Sequence, residues 1–383
     1  MWKTATGSTA RLIQLCLGYF GSYVLTGILV KYFTVVRAPK MPEMAYLFNN
    51  TVGGSLVALS VVFLLGWIHL KSNRTVRWGP FTVPSEIAYI VPSGVCTAIV
   101  IPTTTLMYTL PISVMVAMVI MRGSIIVISR LVDEVQIRQG ILTKRVFAEE
   151  NWAVVFALLA VATNVLLIPV ADLLDRSGVQ ASRLLGLPQG AGRGSFDFLH
   201  SGAAMTIMGL YIVAYTIRIY IMNYFKNTRG KGVPLDNKGF FAVEQVAASV
   251  TMALLIVFFA LTPSLLGWAD KRVVDFAAAV RHPDGEAVLS GIPYGTVAFF
   301  SVFIFMFKGR TATFAGLVNR LTSLLAGTTA TLLLFALFKM KFPSVQDWVS
   351  VAFILVAVYF LGRAEDLRVR ELQRTGEAGS PAS

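Results

Sequence analysis

Residues Thr311-Ala-Thr-Phe-Ala-Gly-Leu-Val-Asn-Arg-Leu-Thr-Ser-Leu-Leu-Ala-Gly327 form an apolar run with one arginine, Arg320, set well inside it. An earlier apolar run, Pro111 to Val132, carries Arg122 in a similar place. A charged side chain at the middle of a membrane span costs roughly 2.5–3.5 kcal/mol on insertion scales. A chain that bears this cost twice, in matching places, implies a use for both charges.

The 383 residues are 56% hydrophobic and only 14% charged. Soluble domains carry roughly a quarter charged residues. The apolar residues here come in long runs, so lipid is the solvent for most of the chain. The net charge of +13 would suggest nucleic acid in a soluble protein. In a membrane chain it reads as the positive-inside bias of loops, with no nucleic-acid partner. Cys16 and Cys96 both lie inside apolar runs, which implies no disulfide framework and no thiolate metal site. The first apolar run is long enough to span, and no small-residue cleavage site follows it.

A span needs about 20 apolar residues. Ten segments qualify: 11–32, 51–70, 86–106, 111–132, 152–171, 203–225, 240–261, 290–307, 312–337 and 346–362. The fold class is therefore an all-α polytopic membrane protein. Pro102 and the run Thr103-Thr104-Thr105 predict an irregular end to the third span. With the N-terminus in the cytoplasm, cytoplasmic segments hold 19 Lys and Arg, the outer side holds 11, and Arg122, Arg218 and Arg320 stay in the membrane. The positive-inside rule then places both termini in the cytoplasm. Short loops suit a bacterial inner membrane, with a Golgi or endoplasmic reticulum membrane as the alternative. A long outer connection runs from Asp172 to Gly202 and includes Gly190-Ala-Gly-Arg-Gly194. No strand precedes those glycines, so they predict a flexible loop rather than a phosphate cradle. In the second long connection, Ala269 to Val280 predicts a short interfacial helix. The tail after Arg363 is polar and predicts disorder. Asn49-Asn50-Thr51 and Asn73-Arg74-Thr75 match the glycosylation pattern and read as chance.

The two halves of the chain repeat each other. Tyr23 with Tyr32-Phe33 matches Tyr215 with Tyr224-Phe225 at an offset of 192. Val52-Gly-Gly-Ser55 matches Val246-Ala-Ala-Ser249, and Val91-Pro-Ser-Gly94 matches Ile292-Pro-Tyr-Gly295. Arg122 falls on Arg320 at 198, and Asn151-Trp152 on Asp347-Trp348 at 196. The five correspondences keep their order, which predicts a first five-helix repeat over 1–171, an external loop over 172–202, a second repeat over 203–363 and a tail over 364–383. A five-span unit is odd in number, so the second copy enters the membrane from the opposite face. Inverted repeats are the architecture of many secondary transporters, with the site near the midplane between the halves.

Inside the spans the formal charges are Arg122, Arg218, Arg320 and Glu244. Three positives against one negative predict an anionic small-molecule ligand, and the planar guanidinium fork suits phosphate or carboxylate. Each arginine could instead pair with backbone carbonyls or with Glu244 and fix packing. Glu244, beside Gln245, could titrate and couple protons, hydrogen-bond a ligand, or serve as an arginine's partner. Its repeat counterparts are near Asn50 and Thr51. Tyr19, Tyr23, Tyr89, Tyr108, Tyr211, Tyr215 and Tyr294 could stack on a base or sugar, with Tyr89, Tyr215 and Tyr294 the best placed. The glycines and small residues of spans four and nine (Gly123, Ser124, Gly316, Ala326, Gly327) allow close helix approach. There is no metalloprotease motif, Walker loop or aspartate-rich metal motif, so no enzyme activity and no cofactor are expected.

Two stretches carry a family resemblance. Met121-Arg-Gly-Ser124 resembles the "LRGS" segment in span four of the drug/metabolite transporter superfamily. Gly316-Leu-Val-Asn-Arg320 is similar to the Gly-Ala-Leu-Asn-Lys motif in span nine of nucleotide-sugar transporters of the GDP-mannose type. That family's Phe-Tyr-Asn-Asn motif on span seven is replaced here by Phe240-Phe-Ala-Val-Glu-Gln245, while Phe48-Asn-Asn50 stands on span two. The resemblance implies ten spans and makes Gly316, Asn319 and Arg320 candidate ligand contacts. The expected substrate-binding set is thus Arg122, Arg320, Asn319, Gly316, Glu244, Gln245, Asn50, Tyr89, Tyr215 and Tyr294. The expected function is secondary transport of a small organic anion such as a nucleotide sugar or sugar phosphate, by a monomer or homodimer. The alternatives are a proton-coupled exporter of amino acids or other metabolites, and a non-transporting receptor or scaffold.

Overall fold

The structure, a computed structural model, describes residues 8–110, 114–142, 146–184, 202–230, 232–343 and 345–374. The chain is a helical bundle. Helix α1 (Thr9–Lys31) ends in a π-helical turn (Tyr32–Val36), and α2 (Glu43–Leu64) returns. Then come α3 (Ile87–Thr109), α4 (Val114–Arg138), α5 (Ala148–Arg176) and the single turn α6 (Ala181–Leu184). The rest of the bundle is α7 (Gly202–Asn227), α8 (Asn237–Leu265), α9 (Lys271–Arg281), α10 (Gly285–Leu289), α11 (Ile292–Phe305), α12 (Ala312–Phe338) and α13 (Val345–Arg374).

Among the described residues, eight helices are long and apolar enough to cross a membrane: α1, α2, α3, α7, α8, α11 (with α10), α12 and α13. Two further long helices, α4 and α5, pack into the same bundle. Their outer surfaces fit a lipid solvent. Leu17, Leu56, Leu254, Val257 and Tyr359 face outward, while tyrosines and small residues fill the interior. The chain alternates direction, so its connections gather at two ends. Thr9 bonds Glu365 and Arg229 pairs with Glu86 at the end where α1 begins, called the near end. Arg37 pairs with Asp284 at the opposite, far end.

The helix pairings are regular. The most extensive contact is α5 along α13. Helix α3 lies between α7 and α8, and α11 between α1 and α2. Helix α4 packs on α7 and α12, and α12 packs on α1 and α4.

Several elements differ from the sequence expectation. Helix α3 runs unbroken through Pro92 and Pro102 to Thr109. Each proline removes a backbone N–H, but the hydroxyls of Thr103, Thr104 and Thr105 bond carbonyls one turn back, at Ile99, Val100 and Ile101. These bonds satisfy the threonine hydroxyls inside the helix, while the carbonyls that lose a donor to the prolines are those four residues back, Ala88 and Ala98. Helix α2 starts eight residues before the predicted 51, because Asn49 and Asn50 spend their amides on Ala45 O and the Tyr46 hydroxyl. Helix α13 continues to Arg374 where a disordered tail was expected after Arg363. Its charged turns are tied down: Glu365 takes Arg310, and Arg368 reaches Glu150 at 3.2 Å. Between α2 and α3 a hairpin pairs Thr75–Trp78 with Phe81–Pro84, an element the sequence reading does not contain. Gly79 (φ 60°) holds the first central position of its two-residue turn, the place a type II′ turn reserves for glycine. The helix expected in the second long connection is present at Lys271–Arg281. The loop Gly190–Gly194 lies outside the described residues.

Candidate ligand site

The interior where α1, α3, α4, α7 and α11 meet holds a narrow, partly open cleft. Its lining includes Tyr23, Thr97, Thr104, Arg122, Tyr215, Arg218, Tyr294 and Ser301. In this conformation it has room for a few water-sized groups and none for a sugar nucleotide.

Arg122 is caged by phenols. Its Nη1 donates to Tyr211 Oη at 2.8 Å, and its Nη2 donates to Tyr23 Oη and, at 3.4 Å, to Tyr108 Oη. Its Nε is buried and unbonded, and no carboxylate pairs with it among the described residues. The guanidinium lies 5.0 Å from the centre of the Tyr23 ring. Arg320, 0% exposed, has less. Among the described residues none of its three nitrogens makes a well-formed hydrogen bond, and its polar interactions are with the Tyr215 and Tyr211 phenols. Its guanidinium stacks 4.3 Å from the centre of the Tyr215 ring and 5.5 Å from that of Phe305. Tyr215 lines the cleft, so Arg320 stands one side chain behind the wall. A buried guanidinium without acceptors or counter-charge costs several kcal/mol, only part of which a desolvated cation–π contact of about 2 kcal/mol returns.

Arg218 has what the other two lack. Its Nε and Nη2 each donate to Glu244, both at 2.9 Å, and Ser93 Oγ donates to the same carboxylate at 2.6 Å. Glu244 is therefore a counter-ion in a fork-to-fork pair. Of the four interior charges read from the sequence, two cancel and Arg122 and Arg320 remain.

The structure gathers Arg122, Tyr215 and Tyr294 around the cleft, with Arg320 and Asn319 directly behind. Asn319 is fully buried. Its Oδ1 accepts from Tyr19 Oη at 2.9 Å, and its Nδ2 donates at 3.3 Å to Ser301, a lining residue. Tyr294 Oη donates to Ile101 O at 3.0 Å. Gly316 lies instead at the α4–α12 crossing, where a Cβ would stand 2.4 Å from Ser129 Oγ. Its role is close approach of the two arginine-bearing helices. Asn50 bonds Tyr46 and Ser290 O toward the far end, and Tyr89 meets Tyr224 edge-on near Glu86 at the near end. Gln245 is buried with its Nε2 unbonded, one position along α8 from the Glu244 counter-ion. Tyr23, Thr97, Thr104 and Ser301 join the site beyond the predicted set. The one-turn spacing Tyr19–Tyr23 and Tyr211–Tyr215 is the signal for part of this. The rings of each pair touch, edge to face in the first at 4.8 Å and tilted in the second at 5.1 Å between ring centres.

No family model matches the chain, and no curated protein does. One solved structure, described only as the crystal structure of a protein, superposes with a TM-score of 0.52 over 92% of this chain and 98% of the other. At 15% identity this likeness concerns the fold alone.

Proposed function

We propose that the protein is a secondary transporter for a small organic anion, with ten spans arranged as two inverted five-helix repeats. The observation that carries the reading is Arg320, fully buried, without a well-formed hydrogen bond or a carboxylate partner among the described residues, and close to Arg122, which likewise has no carboxylate partner there. An interior that keeps two uncompensated cations is suited to an anion that arrives and leaves. The resemblance of Gly316–Arg320 to the span-nine motif of nucleotide-sugar transporters points the same way.

The helix pairings support the repeat. Exchange α1 with α7, α2 with α8, α3 with α11, α4 with α12 and α5 with α13, and the set of major contacts maps onto itself. Arg122 follows Val114, the first described residue of α4, by eight residues, and Arg320 follows Ala312, the start of α12, by eight. At 1.5 Å per residue that is about 12 Å along each helix, counted from opposite ends of the bundle. The repeat-related tyrosines keep the same partners, with Arg122 over Tyr23 and Arg320 over Tyr215. In this reading the cleft widens when one end opens, and Tyr215 yields to let the anion reach Arg320. Glu244 is employed as the counter-ion of Arg218, which favours anion transport over proton coupling through that carboxyl.

The test is exchange in liposomes. Protein loaded with labelled nucleotide sugars, nucleotides and sugar phosphates is expected to exchange at least one of them, and Arg320→Ala to abolish it. Failure to exchange any member of the panel overturns the proposal.

A further inference from the structure

Helix α12, which carries Asn319 and Arg320, is held at its N-terminus by two acids from the first half of the chain. Asp133 on α4 is fully buried. Its Oδ1 accepts from Ala312 N–H at 2.9 Å and from Asn223 Nδ2 on α7 at 3.2 Å, and its Oδ2 accepts from Thr313 N–H at 2.5 Å. One carboxylate thus joins α4 to two helices of the second half. Glu150 on α5 is also fully buried and accepts from the Thr311 hydroxyl at 2.7 Å and from Arg368 on α13 at 3.2 Å. Thr311 is the N-cap, and its hydroxyl oxygen accepts from Phe314 N–H at 3.0 Å. Acids at this place satisfy backbone N–H groups that have no partner inside the helix and meet the positive end of its dipole.

The repeat offsets of 198 and 196 carry these positions to Thr331 and Gln346, neither of which is acidic. The Thr331 hydroxyl donates to Gly327 O inside its own helix at 2.9 Å. At the other end no acid stands at the position related to Asp133, and the nearest acid to the position related to Glu150 is Asp347, buried one residue further along α13. The Asp133 half of the clamp therefore belongs to one end of the bundle.

We propose that Asp133 and Glu150 are positioning residues that pin α12, hold the near end shut, and bias the resting protein toward access from the far end. This rests on the inverted-repeat reading above. Neither acid reaches the cleft. They act through the helix that presents Arg320.

The test reads sidedness. A reporter cysteine replaces Ala298 of α11, which also lines the cleft, in a Cys16→Ala, Cys96→Ala background, and a membrane-impermeant maleimide is applied to each face of oriented proteoliposomes. In Asp133→Asn, labelling from the near face is expected to rise about tenfold or more, the population shift that losing one charge-assisted bond produces. Thr331→Asp, which installs an acid at the related position, is expected to slow labelling from the far face by a similar factor. Thermal unfolding establishes that each variant folds. Near-face rates within about twofold of the parent in folded Asp133→Asn overturn the latch. Should Asp133→Asn not fold, unchanged far-face labelling in Thr331→Asp overturns it. Anion-dependent stabilisation is measured alongside. Altered sidedness without any anion response removes the proposed substrate class and leaves the latch, whereas an anion response with unaltered sidedness does the reverse.

Discussion

The guanidinium of Arg320 lies 4.3 Å from the centre of the Tyr215 ring, and the ring face stands where an acceptor would be expected. Replacing Arg320 removes an uncompensated buried charge. Arg320→Met is therefore expected to raise the unfolding free energy by about 1–4 kcal/mol, the gain seen when buried ionic groups give way to apolar ones. The same variant is expected to lose all stabilisation by anions. Thermal melts with and without a nucleotide and sugar-phosphate panel check both. A fall in stability would show that Arg320 serves packing rather than a ligand.

Arg122 is expected to behave oppositely. Arg122→Met strips a donor from the hydroxyls of Tyr23, Tyr108 and Tyr211 at once. Each buried group left short costs about 1–3 kcal/mol. The melting temperature should fall, and Tyr211→Phe in the wild-type background should fall less. Equal melting of Arg122→Met and the parent would refute the cage.

The Arg218–Glu244 pair gives a double-mutant cycle. Glu244→Gln leaves Arg218 buried without its charge partner, a loss of about 3–5 kcal/mol. Arg218→Met with Glu244→Met should recover most of it. A double variant no better than Glu244→Gln would mean the two groups are not a pair. Transport that persists across a pH gradient in Glu244→Gln would count against proton coupling at this site.

Gly316 predicts a steric result. The added Cβ of Gly316→Ala meets Ser129 Oγ at 2.4 Å, so the α4–α12 crossing must spread. Overpacking of this kind costs about 1–3 kcal/mol. Ser129→Gly should restore the melting temperature of Gly316→Ala. Lack of rescue would place the strain elsewhere.

At the near end, Glu86 joins the hairpin to Arg229. Burial pushes its carboxyl up, but bonds from the Ser72 hydroxyl and the Asn73 backbone N–H outweigh that and hold it below the usual carboxylate range. A carboxyl depressed in the folded state stabilises above its unfolded value of about 4.3, and that contribution is lost as pH falls through the folded value. Glu86→Gln should therefore melt lower than the parent at pH 7, with the gap closing in acid. A pH-independent gap would refute the linkage.

The membrane class, the locations of the helices and the two interior arginines were legible because apolar length and buried charge are properties of single stretches. Pairing was not. Sequence leaves Glu244 free to titrate, to contact a ligand or to neutralise an arginine. Only the packing of α3, α7 and α8 shows Arg218 and Ser93 on the same carboxylate. In sequence the charged last turns of α13 look solvated until Glu150 and Arg310 are placed beside them. The hairpin is silent in sequence because strands of four residues leave almost no periodic trace. Gly316 reads both as a helix-approach residue and, by resemblance, as a ligand contact. Its position against Ser129 is that of the former.

Helix α3 is built differently from α12. Pro92 and Pro102 each delete a rung from its backbone ladder, while α12 carries no proline from Ala312 to Phe338. Bending α3 at those two points breaks no bond that is not already missing. Bending α12 would break several. The lining wall formed by Thr97, Val100, Ile101 and Thr104 is thus articulated, and the rod that bears Arg320 is stiff. Any breathing of the cleft should concentrate its strain in α3 and transmit it along α12 undiminished, as a jointed finger works against a fixed palm.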